Sequence, residues 1–130
     1  MIIPSEKKFE KLLKKFDDTF VKLKQFNRCD FYSGKWDCYL ELKARKETYL
    51  TYGINKDKYD YIIHKKNIRY LIWSPEHIIS FNIRNIPEPI WKWELGPDQT
   101  EFDDEQLWYY RWVGYFPVEQ GKDITSLLLK

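Results

Sequence analysis

The sequence predicts a single α/β domain, and three observations carry that reading. An apolar stripe at helical spacing opens the chain, strict two-residue alternation follows it, and later segments switch between helical and strand patterns. The 130 residues fit one domain, 1–130, with little room for a second. An apolar share of 43% beside 32% charged residues argues against wholesale disorder.

Ser5 to about Gln25 reads as the first helix, with Pro4 before it and Ser5 as N-cap. Phe9, Leu12, Leu13, Phe16, Phe20 and Leu23 form its apolar stripe, and Glu6, Glu10 and Asp17 fall together on one flank. Cys29–Tyr32 reads as a short strand and Ser33-Gly34 as a hairpin turn. From Trp36 the even positions Trp36, Cys38, Leu40, Leu42 and Ala44 are apolar, while Asp37, Tyr39, Glu41, Lys43 and Arg45 are polar or amphipathic. That alternation predicts a strand with one buried face.

Tyr49–Tyr52 is expected as strand, and Asn55 as the opening of a helix to about Lys66. Ile68–Trp73 and His77–Ile83 are expected as two strands joined at Ser74-Pro75. Residues 84–107, with Pro87, Pro89, Gly96, Pro97 and the acidic cluster Glu101, Asp103, Asp104 and Glu105, read as a long irregular excursion. Trp108–Phe116 is a last aromatic strand, its inward-alternating rings assigned to the core, and a short tail follows. Trp91, Trp93, Trp108, Tyr109, Tyr110 and Trp112 could alternatively stack on unpaired bases or line a dimer contact.

No apolar run approaches the ~20 residues that span a bilayer, so no membrane partner is expected. The opening stretch lacks an apolar segment followed by a small-residue cleavage site, so no secretory signal is expected either. Cys29 and Cys38 are too few for a disulfide scaffold or a four-cysteine zinc site. An intracellular, reducing location follows, with paired thiols preferred over a cross-strand disulfide. Nothing resembles a Gly-rich phosphate loop or a Ser-His-Asp arrangement, so no nucleotide cofactor is expected. His64 and His77 have no nearby Cys partner and read as surface or satisfied core histidines.

Residues 1–70 carry 17 Lys and Arg against 10 Asp and Glu, a net +7, whereas residues 71–130 carry 5 against 10, a net −5. A basic first half suits a polyanionic partner. Within it, a two-residue Ser33-Gly34 loop would set Asp30 opposite Asp37 and Cys29 opposite Cys38. Asp30 then shares the polar face with Glu41 and Lys43. A loop longer by two keeps that parity, and a three-residue loop reverses it. Two carboxylates converging on one face repel unless a cation lies between them. Hard divalent cations take oxygen ligands and leave room for a phosphate. A lysine beside them can orient water or stabilise charge developing on phosphorus.

At these residues the chain resembles the PD-(D/E)XK nuclease superfamily of restriction endonucleases and Holliday junction resolvases. Asp30, ten intervening residues and Glu41-Leu42-Lys43 carry the likeness, behind a helix bearing Glu10. The stretch DFYSGKWDCYLELKARKETY looks most like small phage and large-virus members. The resemblance covers about residues 5–83, and no motif proline precedes Asp30, where Cys29 stands. It implies a restriction-endonuclease-like fold, an N-terminal helix followed by a mixed sheet flanked by helices. It also implies a Mg²⁺- or Mn²⁺-dependent DNA nuclease, a hydrolase that acts on branched, duplex or single-stranded substrates. Asp30 and Glu41 would hold the metal with Glu10, or alternatively Glu6, assisting, and Lys43 would position the water. Arg45, Lys46, Lys56 and Lys58 are the candidate phosphate contacts. A homodimer is implied by analogy, and host cytoplasm if the protein is viral. Two other classes stay open, an inactive nucleic-acid-binding module of the same fold and a small viral protein-interaction domain.

Overall fold

The computed structural model describes residues 4–24, 29–65, 67–97 and 108–129. Helix α1 (Glu6–Phe16) starts where Ser5 Oγ accepts the Lys8 amide, as its sequence signature predicts. It ends nine residues before the expected limit of about Gln25. Asp17 donates its backbone N–H to the Leu13 carbonyl, and its side chain accepts from both the amide and the hydroxyl of Thr19. That turn breaks the helix, so Phe20 belongs instead to strand β1 (Phe20–Lys22).

Strands β2 (Phe31–Ser33) and β3 (Cys38–Ala44) form the expected hairpin, but its connection is the four residues 34–37. Phe31 opposes Leu40 and Ser33 opposes Cys38, which corrects the pairing of Cys29 with Cys38 and of Asp30 with Asp37. Because the loop is longer by two, face parity is unchanged. Trp36 is not a buried strand residue. It sits 58% exposed in the turn, its indole N–H donating to Asp17. Asp37 adopts φ 47° and Asn67 φ 62°, left-handed conformations that Asp and Asn tolerate best. The Asn67 amide donates to Asp37 at 3.0 Å, tying the hairpin turn to the start of the strand that will lie beside β3.

The chain continues through β4 (Thr51–Asn55), α2 (Lys56–Ile63), β5 (Ile68–Ser74) and β6 (His77–Phe81). Next come β7 (Lys92–Pro97), β8 (Trp108–Pro117), β9 (Lys122–Asp123) and the single turn α3 (Thr125–Leu128). Strand β7 replaces part of the irregular excursion expected over 84–107. The acidic cluster Glu101, Asp103, Asp104 and Glu105 lies outside the described residues.

Among the described residues there are two sheets, a mixed six-stranded one ordered β1-β2-β3-β5-β6-β9 and an antiparallel one ordered β4-β8-β7. Only β3 and β5 run parallel, and their crossover carries β4 and α2. On one face of the large sheet, Phe9 and Leu13 of α1 pack with Phe31, Leu40, Leu42, Trp73, Ile78 and Leu128. Phe9 is fully buried, its ring centroid 5.7 Å from Phe31 and 6.2 Å from Trp73. On the other face Tyr70, Ile72 and Phe81 pack with Tyr59 and Ile62 of α2 and with Tyr52, Ile54 and Phe116 of the small sheet. Both faces of β3 are therefore covered, as befits a strand with a parallel neighbour. The polar face read from alternation is not a solvated one.

Candidate active site

Strand β3 delivers the site. Glu41 lies opposite Tyr70 of β5 and is 4% exposed, one of three buried polar residues and the only charged one among the described residues. Two ammonium groups reach it. Lys43 Nζ, two residues along the same face, is 3.7 Å from Oε1, and Lys58 Nζ of α2 is 3.4 Å from Oε2. Burial pushes the Glu41 carboxyl up, the charge of Asp30 pushes it further, and the two lysines oppose both, leaving it at about 7.

Asp30 stands where β2 gives way to a bend. Its Oδ2 accepts the Leu42 amide at 2.7 Å, taking the place of a backbone carbonyl in the ladder between β2 and β3. One oxygen of the acid is thereby fixed to the sheet. Burial is the main cause raising its pKa, and the charge of Glu6 adds to it. Asp30, Glu41 and Lys43 are thus gathered as the sequence predicted, in an environment the alternation pattern did not foretell.

The helix carboxylates divide their roles. Glu6 binds the Lys22 ammonium and is the helix acid whose field acts most strongly on Asp30. The charge of Glu10 acts on Lys22. Burial lowers the Lys22 pKa, but the Glu6 contact and the charges of Glu6, Asp30 and Glu10 outweigh it, and the net direction is upward. Glu6, the alternative of the two in the sequence reading, has the closer electrostatic link to Asp30. Among the described residues no three His, Cys, Asp or Glu side chains converge as a ready metal cage.

A cleft of about 440 Å³ opens beside Glu41, between β3 and α2 on one side and β7 and β8 on the other. Lys43, Arg45, Lys58, Tyr109, Arg111 and Tyr115 line it, together with Glu94 and Tyr70. Arg45 and Lys58 therefore lie where phosphate contacts were expected. Lys46 is exposed beyond the end of β3. Lys56 points elsewhere, paired with Asp60 at 2.9 Å and set over the Trp91 ring. Asp37 accepts from Tyr32 and Asn67, a turn clasp rather than a site residue. His77 Nε2 is 2.7 Å from the Tyr52 hydroxyl, a satisfied histidine as expected.

Two features escaped the sequence reading. Lys58 touches Glu41 directly, although nothing local marks a residue 17 positions away on a crossover helix. Arg111 enters the cleft from an aromatic strand, where it is the only cation of β8, and that isolation was the one available signal. The cysteines belong to different cores, Cys29 within the one beneath α2 and Cys38 against the α1 core, and both are free thiols. Helix α2 ends at Ile63, three residues before the end expected at about Lys66. No protein-family model matches the chain, and no curated protein matches it.

Proposed function

We propose that the chain is a divalent-metal-dependent nuclease with a restriction-endonuclease-like core, hydrolysing phosphodiester bonds in DNA. One observation carries the reading. A buried glutamate, sharing its surroundings with a second carboxylate whose oxygen is fixed to the sheet, is held at about 7. Burying acids together is unfavourable unless something cationic uses them. The donor set fits Mg²⁺ or Mn²⁺, since Asp30 and Glu41 offer hard oxygens. The mixed sheet, with an N-terminal helix on one face and a crossover helix on the other, is consistent with that core.

Asp30 and Glu41 would hold the metal, with Glu10 or Glu6 assisting. Bound there, a divalent ion would supply Lewis acidity for phosphodiester hydrolysis. Lys43, about one-third exposed, lies between Glu41 and the cleft, where it can orient the attacking water and stabilise charge on the pentavalent phosphate. Lys58 holds Glu41 on its other oxygen and is a positioning residue. Arg45 and Arg111 face the cleft and can bind flanking phosphates.

The test is a cleavage assay on labelled single-stranded, duplex and four-way-junction DNA with Mg²⁺, Mn²⁺ or chelator. Metal-dependent cutting, abolished in Lys43→Ala, is the expected result. A second reading is favoured by the lack of a third converging ligand among the described residues, namely a DNA-binding module of the same fold that does not cut. Binding without cutting on every substrate would select it.

A further inference from the structure

The cleft beside Glu41 has a chemistry of its own. Four cations, Lys43, Arg45, Lys58 and Arg111, line it against a single lining carboxylate, Glu94, which accepts the Tyr115 hydroxyl. Register explains how the far wall is built. Across the β7–β8 ribbon Glu94 opposes Arg111 and Gly96 opposes Tyr109, so these four side-chain positions share one face, turned toward β3 and α2. Trp93, Leu95, Tyr110 and Trp112 occupy the other face and are exposed. A Cβ on Gly96 would meet the Arg111 guanidinium at 2.6 Å, so glycine leaves that group room to lie across the ribbon. Arg111 in turn lies 5.3 Å from the Tyr109 ring centroid and donates to its hydroxyl at 3.3 Å. Tyr109 remains 43% exposed.

Cations that bind phosphates, set beside an exposed ring that can take a base, form the recognition pattern for an unpaired strand. We infer that the cleft takes one unpaired polynucleotide strand, its phosphates on Arg45 and Arg111 and a base against Tyr109, and that β7–β8 acts as the clamp. This rests on the nuclease reading for what happens to the strand, but not for its binding.

Binding is measured by anisotropy with fluorescein-labelled oligothymidylate, oligouridylate and a hairpin duplex of equal length, in chelator and again in Ca²⁺. The single strands should bind about tenfold more tightly than the duplex, and Tyr109→Ala should remove about tenfold, as the loss of one base–aromatic stack does. Arg111→Gln should weaken single-strand binding and lower the slope of log affinity against log salt by about 0.7. The outer-face variant Trp112→Ala should change neither. Equal affinity for duplex, or Tyr109→Ala and Arg111→Gln variants that melt normally and bind like wild type, would overturn the assignment. Thymidylate against uridylate affinity identifies DNA or RNA as the strand. Strand binding without cleavage would sink only the nuclease, whereas cutting confined to duplex would sink only the single-strand clamp.

Discussion

Glu41→Gln should make the metal-free protein more stable at alkaline pH. Glutamine keeps the shape of the buried side chain and removes its charge. In the folded protein the acid sits at about 7 against an ordinary 4.5. Between those values the folded state keeps a proton that the unfolded chain has released, so stability falls as pH rises through this window. Below about pH 4.5 both states are protonated and the penalty vanishes, and above about pH 8 it is complete. The step from 4.5 to about 7 corresponds to something on the order of 3 kcal/mol. Attraction from Lys43 and Lys58 is already included in that figure, because both lysines act to lower the value. Urea melts of wild type and Glu41→Gln, in chelator across this pH range, isolate the difference while other titrations cancel. The variant should gain about 3 kcal/mol near pH 8.5 and almost nothing near pH 4.5. A variant less stable than wild type at alkaline pH, or a difference that does not change with pH, would refute the electrostatic reasoning.

Four further outcomes are expected. Mg²⁺ at about one hundred times its dissociation constant should stabilise the wild type by about 2.7 kcal/mol at pH 8, and Glu41→Gln far less; equal melting shifts would remove the metal from this site. Asp30→Asn should move the Glu41 titration downward by deleting a nearby negative charge, which carboxyl NMR would detect as a lower midpoint, and an unchanged midpoint would uncouple the pair. Phe9→Ala should cost about 3–5 kcal/mol, since the ring is fully buried between Phe31 and Trp73; a loss under about 1 kcal/mol in urea melts would mean α1 is not docked as described. Thiol titration without reductant should count two free cysteines, Cys38 reacting first because Cys29 is more deeply buried, burial raising both thiols; a single reactive group or none would indicate a disulfide.

Local chemistry made much of this architecture legible. Ser5 marked the first residue of α1, the alternation over 38–44 marked β3, and Ser74-Pro75 marked the hairpin of β5 and β6. The grouping of Asp30, Glu41 and Lys43 was readable because face parity survives an even change in loop length. The end of α1 was not, because Phe20 and Leu23 continue the helical phase while a side-chain turn at Asp17 has already redirected the backbone. Burial of Glu41 was hidden for a different reason. Alternation tells which residues share a face, but a parallel crossover decides whether that face meets water, and its covering residues come from α2 and the small sheet. Likewise the rings of β8 were assigned inward by default, whereas Trp108, Tyr110 and Trp112 are about half exposed. Only the pairing of β8 with β7 and β4 reveals which of its faces has a covering layer.

The pairing of β4 with β8 has a consequence for synthesis. Thr51 finds its partner in Pro117, and Asn55 in Val113, so β4 emerges from the ribosome long before its only neighbour in the small sheet among the described residues. Non-local pairings of this kind raise contact order and slow folding. The hairpins β2–β3 and β5–β6 can form as soon as they are made, but the cleft wall carrying Arg111 closes only after β8, Trp108–Pro117, has been translated. A nascent chain would therefore hold its acidic pair long before it could grip a strand. Grip and chemistry would be acquired in sequence, the grip last.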